Sequence, residues 1–120
     1  MNFKDNKAIY LQIADRIGDQ ILSGVLVPEG KVPSVRELAA EIEVNANTVA
    51  RTYDFLQQSG VIYTKRGLGY FVSPDAKEKI VSIRREQLMH GEMDYFLRQL
   101  KAVGITPAEL QNIYQEFLGK

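Results

Sequence analysis

Asn45, Ala46, Asn47, Thr48 and Arg51 open a segment whose apolar positions, Val49, Tyr53 and Leu56, fall on one side of a helix. At about 100° per residue, Asn47, Arg51, Asp54 and Gln58 share the opposite side, with Thr48 at the flank. These side-chain types suit the reading of base edges. Asn makes paired hydrogen bonds to adenine, Thr donates or accepts, and an Ala methyl packs against the methyl of thymine. Arg51, one turn beyond Asn47, has the reach for guanine or phosphate. A second group, Lys65-Arg66-Gly67, sets two cations beside a residue small enough for close backbone approach, which suits contact with an adjacent groove.

Each assignment has a plainer counterpart. Arg51 and Asp54 are spaced for a surface ion pair. Arg36 could be ordinary helix surface, and Asn47 and Thr48 could assist Asn45 in capping their helix. Lys65 and Arg66 could simply keep a hairpin tip soluble.

The elements that must hold these groups follow from hydrophobic periodicity. Ile9, Ile13, Ile17 and Ile21, beside Tyr10 and Ala14, predict a helix from about residue 8 to 23, closed by Gly24. The run from Val25 to Gly30 reads as a loop. Ser34 and Glu37 then form a capping box, with Pro33 and Leu38 at staple positions, opening a second helix lined by Val35, Leu38, Ala39 and Ile42. A short turn leads to Asn45, which caps the third helix, and Ser59-Gly60 stops it. Val61 to Thr64 and Tyr70 to Ser73 read as two strands of a hairpin. Ser73-Pro74 opens a helix to about Met89, and His90-Gly91 is expected to break it. A further helix carries Met93, Phe96, Leu97, Leu100 and Val103, and a capping box at Thr106 and Glu109 leads into Leu110, Ile113, Tyr114, Phe117 and Leu118.

The fold class expected is therefore mainly α with a small β-hairpin: a winged helix-turn-helix over residues 1–73, followed by a short helical tail over 74–120. Helices that short with strong apolar stripes have little core of their own, so a partner chain is expected to cover them. The 120 residues carry 15 basic and 15 acidic side chains, and the charges balance again on either side of Ser73, so any phosphate-binding surface must be local. The chain has no cysteine, which removes disulfides, thiolate metal sites and cysteine nucleophiles. No run approaches the roughly 20 apolar residues of a membrane span. Met1 is followed by Asn-Phe-Lys-Asp rather than by an apolar leader, so a cytoplasmic protein is expected.

The one histidine, His90, sits at a helix end and carries no evident chemistry, and the carboxylate pairs Asp15/Asp19 and Glu37/Glu41 lack a partnering base. Gly67-Leu68-Gly69 leads into a strand, unlike a phosphate-cradling loop. No enzyme, metal site or cofactor is expected.

The order and spacing of these motifs resemble the GntR superfamily of bacterial regulators, and within it the short YtrA-like group. The resemblance lies in Ile9-Tyr10-Leu11-Gln12-Ile13, Ile21-Leu22-Ser23-Gly24-Val25-Leu26 and Val32 to Ala39. It continues through Val44-Asn45-Ala46-Asn47-Thr48-Val49, Gly67-Leu68-Gly69-Tyr70-Phe71-Val72 and the tail segment Leu100 to Leu110. It implies a DNA-binding transcriptional regulator in which Arg36, the start of the third helix and Gly67 face DNA, and in which the tail helices dimerise. With the residue-level reading, the expected DNA-binding set is Ser34, Arg36, Asn45, Ala46, Asn47, Thr48, Arg51, Lys65, Arg66 and Gly67.

Many family members carry an arginine where this chain has Ala46, and a basic residue near Ala50, so relatives do not lend their operator sequence. The expected activity is a homodimeric regulator, a repressor, on double-stranded DNA with a partly palindromic site. The alternative is a protein-interaction adaptor on the same scaffold without direct DNA contact. A small-molecule effector between subunits would leave no motif, and none is assigned.

Overall fold

A computed structural model describes residues 7–120, and the polar start at Asn-Phe-Lys-Asp lies outside the described residues. Helix α1 (Ile9–Leu22) turns Ile13, Ala14, Ile17 and Ile21 inward, while Ile9 stays exposed. Helix α2 (Val35–Ile42) starts at the capping box, where the Ser34 hydroxyl accepts from the Glu37 N–H at 3.1 Å and the Glu37 carboxylate accepts from the Ser34 N–H at 3.0 Å. The Ser34 backbone donor and then its hydroxyl hold the Glu37 carboxyl below its ordinary pKa, so the box is strongest with Glu37 ionised.

Glu43, in the left-handed region at φ 55°, ends α2 and turns the chain within two residues to Asn45, the N-cap of α3 (Ala46–Gln58). This short turn is what sets α3 across α2 as a helix-turn-helix pair.

Two strands, β2 (Ile62–Lys65) and β3 (Gly69–Val72), form the expected hairpin, but the sheet has a third strand that sequence reading placed in no element. β1 (Lys31–Val32) pairs antiparallel with β3, Lys31 opposite Phe71 and Val32 opposite Tyr70, giving the order β1-β3-β2. Two residues are too few to show a period. What makes this segment a strand is the pairing itself, aided by Glu29 N–H donating to the Val72 carbonyl and Val72 N–H donating to that of Gly30.

One core joins these elements. It contains Ile13, Ile17 and Ile21 of α1, Leu38 and Ala39 of α2, Val49, Tyr53 and Leu56 of α3, and Val32, Ile62 and Val72 of the sheet. Each large aliphatic side chain fully buried there contributes about 1.5–3 kcal/mol. Tyr53 is wholly buried yet satisfied, its hydroxyl donating to the Pro33 carbonyl, and its ring meets Tyr70 edge-on at 4.9 Å. Burial, first of all, raises its phenol pKa above the ordinary value.

Helix α4 (Ala76–Gln87) adds Ala76 and Ile80 to this core, and Arg84 bonds the Asp15 carbonyl at 3.1 Å and the Asp19 carboxylate at 2.7 Å. The first compact unit accordingly runs through Arg84 and the second starts at Arg85.

In the second unit the expected break at His90-Gly91 is absent. Residues Leu88–Glu92 form one π-helical turn that leads directly into α5 (Met93–Ala102), with helical backbone at both Gln87 and Met93. A wider turn absorbs the glycine without leaving the helix. Helix α6 (Pro107–Leu118) begins at the expected capping box, Glu109 N–H donating to Thr106 Oγ1 at 3.2 Å. No residue of α5 or α6 is buried. No helix among the described residues is long and apolar enough to cross a membrane.

Candidate nucleic-acid interface

At the start of α3 the cap separates two jobs that the sequence leaves mixed. Asn45 caps alone, its Oδ1 accepting from the Asn47 N–H at 2.7 Å. The side chains of Asn47 and Thr48 take no part in the cap, and Asn47 is exposed, its side-chain amide forming no hydrogen bond among the described residues. Ala46 is exposed as well.

Arg51 and Asp54 form no ion pair. The Arg51 guanidinium lies instead over the ring of Tyr10, 4.0 Å from its centroid. Asn47, Thr48 and Arg51 thus meet around one open depression, whose other wall is Ala8, Ile9 and Tyr10 at the start of α1. The remaining expected residues stand on other elements. Ser34 is engaged in the capping box, Arg36 is exposed in the first turn of α2, and Lys65, Arg66 and Gly67 form the tip between β2 and β3.

That tip is a tight turn in which the Leu68 N–H donates to the Lys65 carbonyl at 2.9 Å. Gly67 sits at φ 79°, a conformation that L side chains rarely adopt, at the position where such a turn favours glycine. Arg66 projects from it exposed. Lys65 is partly held, with its ammonium 4.5 Å from the centroid of Phe71 and 5.9 Å from that of Tyr63. Tyr63 in turn donates to Glu29 at 2.6 Å, and this bond is the main cause of its raised pKa.

The neutral charge balance hides a partition. In the first unit Asp15 pairs with Lys7, Asp19 with Arg84 and Glu41 with Arg16, while Glu29 accepts from Tyr63 and Glu37 closes the capping box. Lys31, Arg36, Arg51, Lys65 and Arg66 form no ion pair among the described residues. Several acids are therefore engaged by structural partners, while these cations at α2, α3 and the sheet stay outside ion pairs. Glu43 and Asp54 are likewise unpaired among the described residues, and Lys31 acts on Glu37 through space. Lys31 is not legible in the sequence as a neighbour of these cations because its two-residue strand shows no period. In the sequence Tyr10 stands as part of an apolar stripe, and its aromatic ring at the flank of that stripe is the signal available there. No group of three or more side chains among the described residues could hold a metal ion.

The family model described as bacterial regulatory proteins, gntR family, matches residues 9–72, from the first residue of α1 to the last of β3. The chain belongs to the GntR family. This GntR-family chain is 38% identical over 116 residues to the HTH-type transcriptional repressor YtrA of Bacillus subtilis, covering 93% of this chain and 83% of that protein, which sets it with the short YtrA-like members. A GntR-family structure from Bacteroides thetaiotaomicron is 52% identical, with a TM-score of 0.82, over 93% of this chain and 97% of that one. The DNA-binding domain of AraR in complex with operator ORR3 is 30% identical, with a TM-score of 0.51, over 53% of this chain and 77% of that one. The GntR assignment makes the protein a DNA-binding transcriptional regulator of the helix-turn-helix type and not an enzyme.

Proposed function

We propose that this regulator is a homodimeric repressor that acts in the cytoplasm by occupying promoter DNA. The two α3 helices enter successive major grooves of a partly palindromic operator, about 34 Å apart. The observation that carries the reading is the convergence of Asn47, Thr48 and Arg51 around one open depression at the start of α3. Asn47, Thr48 and Arg51 read bases, while Lys31, Arg36, Lys65 and Arg66 hold phosphate, and Ala46 and Gly67 permit close approach.

Dimerisation is assigned to residues beyond Arg84. On α6, Leu110, Ile113, Tyr114, Phe117 and Leu118 recur at helical spacing and are all exposed, Phe117 at 68%. On α5, Phe96 and Leu97 are about half exposed. Such stripes are seldom left in water, and a second copy of the same helices supplies a self-complementary cover.

The test is a gel shift with promoter DNA and with duplexes selected from a random pool. Binding is expected to fall sharply in an Arg36→Ala, Asn47→Ala, Arg51→Ala triple variant, and unchanged binding would remove the proposed surface. Binding that hardly responds to salt would instead favour the adaptor reading, since phosphate contacts release counterions.

A further inference from the structure

Arg51 is the longest side chain among the residues assigned to base reading, and its freedom matters. A solvent-exposed arginine loses up to about 2 kcal/mol of rotamer entropy when a partner immobilises it. Here the guanidinium is already placed over the ring of Tyr10, at 4.0 Å. Tyr10 is itself held twice by α3. Thr52, wholly buried, donates its hydroxyl to the Tyr10 carbonyl at 2.8 Å, and Phe55 meets the Tyr10 ring edge-on, with centroids 6.2 Å apart and planes at 78°. Arg51, Thr52 and Phe55 belong to one helix, so the element that carries the arginine also fixes the platform on which it rests.

The guanidinium's donors lie in its own plane, and a ring against its face leaves them free. No ion pair takes them among the described residues, Asp54 included. Asn47 and Thr48 border the same depression, so a positioned Arg51 stands next to the other base-reading groups and not among the phosphate-holding ones.

We infer that Tyr10 is a specificity-determining positioning residue: it holds the Arg51 guanidinium in one place beside Asn47, so that Arg51 reads a paired acceptor on a base edge, as guanine offers. This rests on the proposal that α3 reads the operator. An arginine held in advance loses less freedom on binding, and the benefit goes to a duplex whose acceptors match its fixed position. A mobile arginine would serve any phosphate equally.

The test uses the full chain, an operator selected from a random pool and a scrambled duplex of the same length. Tyr10→Phe keeps the ring and is expected to bind both duplexes as the parent does. Tyr10→Leu removes it, and operator affinity is expected to fall by up to about thirtyfold, the factor equivalent to the roughly 2 kcal/mol of rotamer freedom that a released arginine must give up on binding, with the scrambled duplex unaffected. Adding Tyr10→Leu to Arg51→Ala is expected to cause no further loss, because the ring acts only through the arginine.

The inference is overturned if Tyr10→Leu leaves operator affinity unchanged, if its loss multiplies with that of Arg51→Ala, or if it falls equally on the scrambled duplex. Should Tyr10→Leu unfold at lower temperature, Arg51→Lys provides the reciprocal measurement, since it keeps the charge and disturbs no core residue. The ratio of operator to scrambled affinity is then expected to drop at an unchanged salt slope, and an unchanged ratio overturns the inference. A parent protein without operator preference would refute the base-reading proposal itself, whereas a weakened Arg51→Ala beside a neutral Tyr10→Leu refutes only the role of Tyr10.

Discussion

Tyr53 shows how one side chain can be read correctly by pattern and still hold more than the pattern tells. Its place on the apolar side of α3 follows from its spacing with Val49 and Leu56, but its hydroxyl needs a partner once buried, and Pro33 supplies the acceptor just before α2. Tyr53→Phe leaves that carbonyl without its donor and is expected to lower stability by ~1 kcal/mol in urea unfolding near neutral pH. The raised phenol pKa gives a sign as well. The neutral form is favoured by the fold, so its contribution is complete below the unfolded value near 10 and is lost as pH rises through the higher folded value. The parent should therefore lose stability relative to Tyr53→Phe as pH rises above about 10, and parallel curves would count against this account.

Phosphate-holding cations are also judged one by one. Replacing Arg66 or Lys31 by Ala should weaken specific and random duplexes alike and reduce the slope of log affinity against log salt by roughly 0.9 for each phosphate that the side chain neutralises. An unchanged slope would return that residue to ordinary surface.

At the scale of elements, the wing depends on backbone more than on packing. A Cβ at Gly67 would meet nothing within 4 Å, so the obstacle to substitution is the positive φ alone. Gly67→Ala is expected to cost about 1–2 kcal/mol locally, seen as faster amide exchange at Leu68 and weaker DNA binding, with Gly67→Asn milder because Asn tolerates that region. Equal exchange in both variants would mean that the tip conformation is not strained. The sheet shows why element boundaries are harder to read than helices. Helices α1, α2 and α3 carry their periods within themselves, and α2 and α3 have local caps at Ser34 and Asn45, whereas β1 exists because β3 offers it a partner. Likewise His90-Gly91 carries a breaker's composition, yet a π turn retains helical backbone through it.

Across the whole molecule the prediction concerns association. Ile113→Glu with Phe117→Glu places charges on the exposed stripe of α6 and should convert a dimer to a monomer in sedimentation, with operator affinity falling because two half-sites no longer bind together. A chain that remains dimeric with both substitutions would move the interface elsewhere.

The sequence by itself determined the helix-turn-helix, its caps, the hairpin and the family, because these depend on local spacing and on residue types that act within a few positions of one another. It also placed Asn47, Thr48 and Arg51 on one polar side. Only the tertiary structure decided which acids take structural partners, and that Arg36, Arg51, Lys65 and Arg66 form no ion pair among the described residues. It alone showed that Arg51 turns away from Asp54 to the ring of Tyr10, since that contact joins two helices that are distant in sequence and meet only when the core between them is formed.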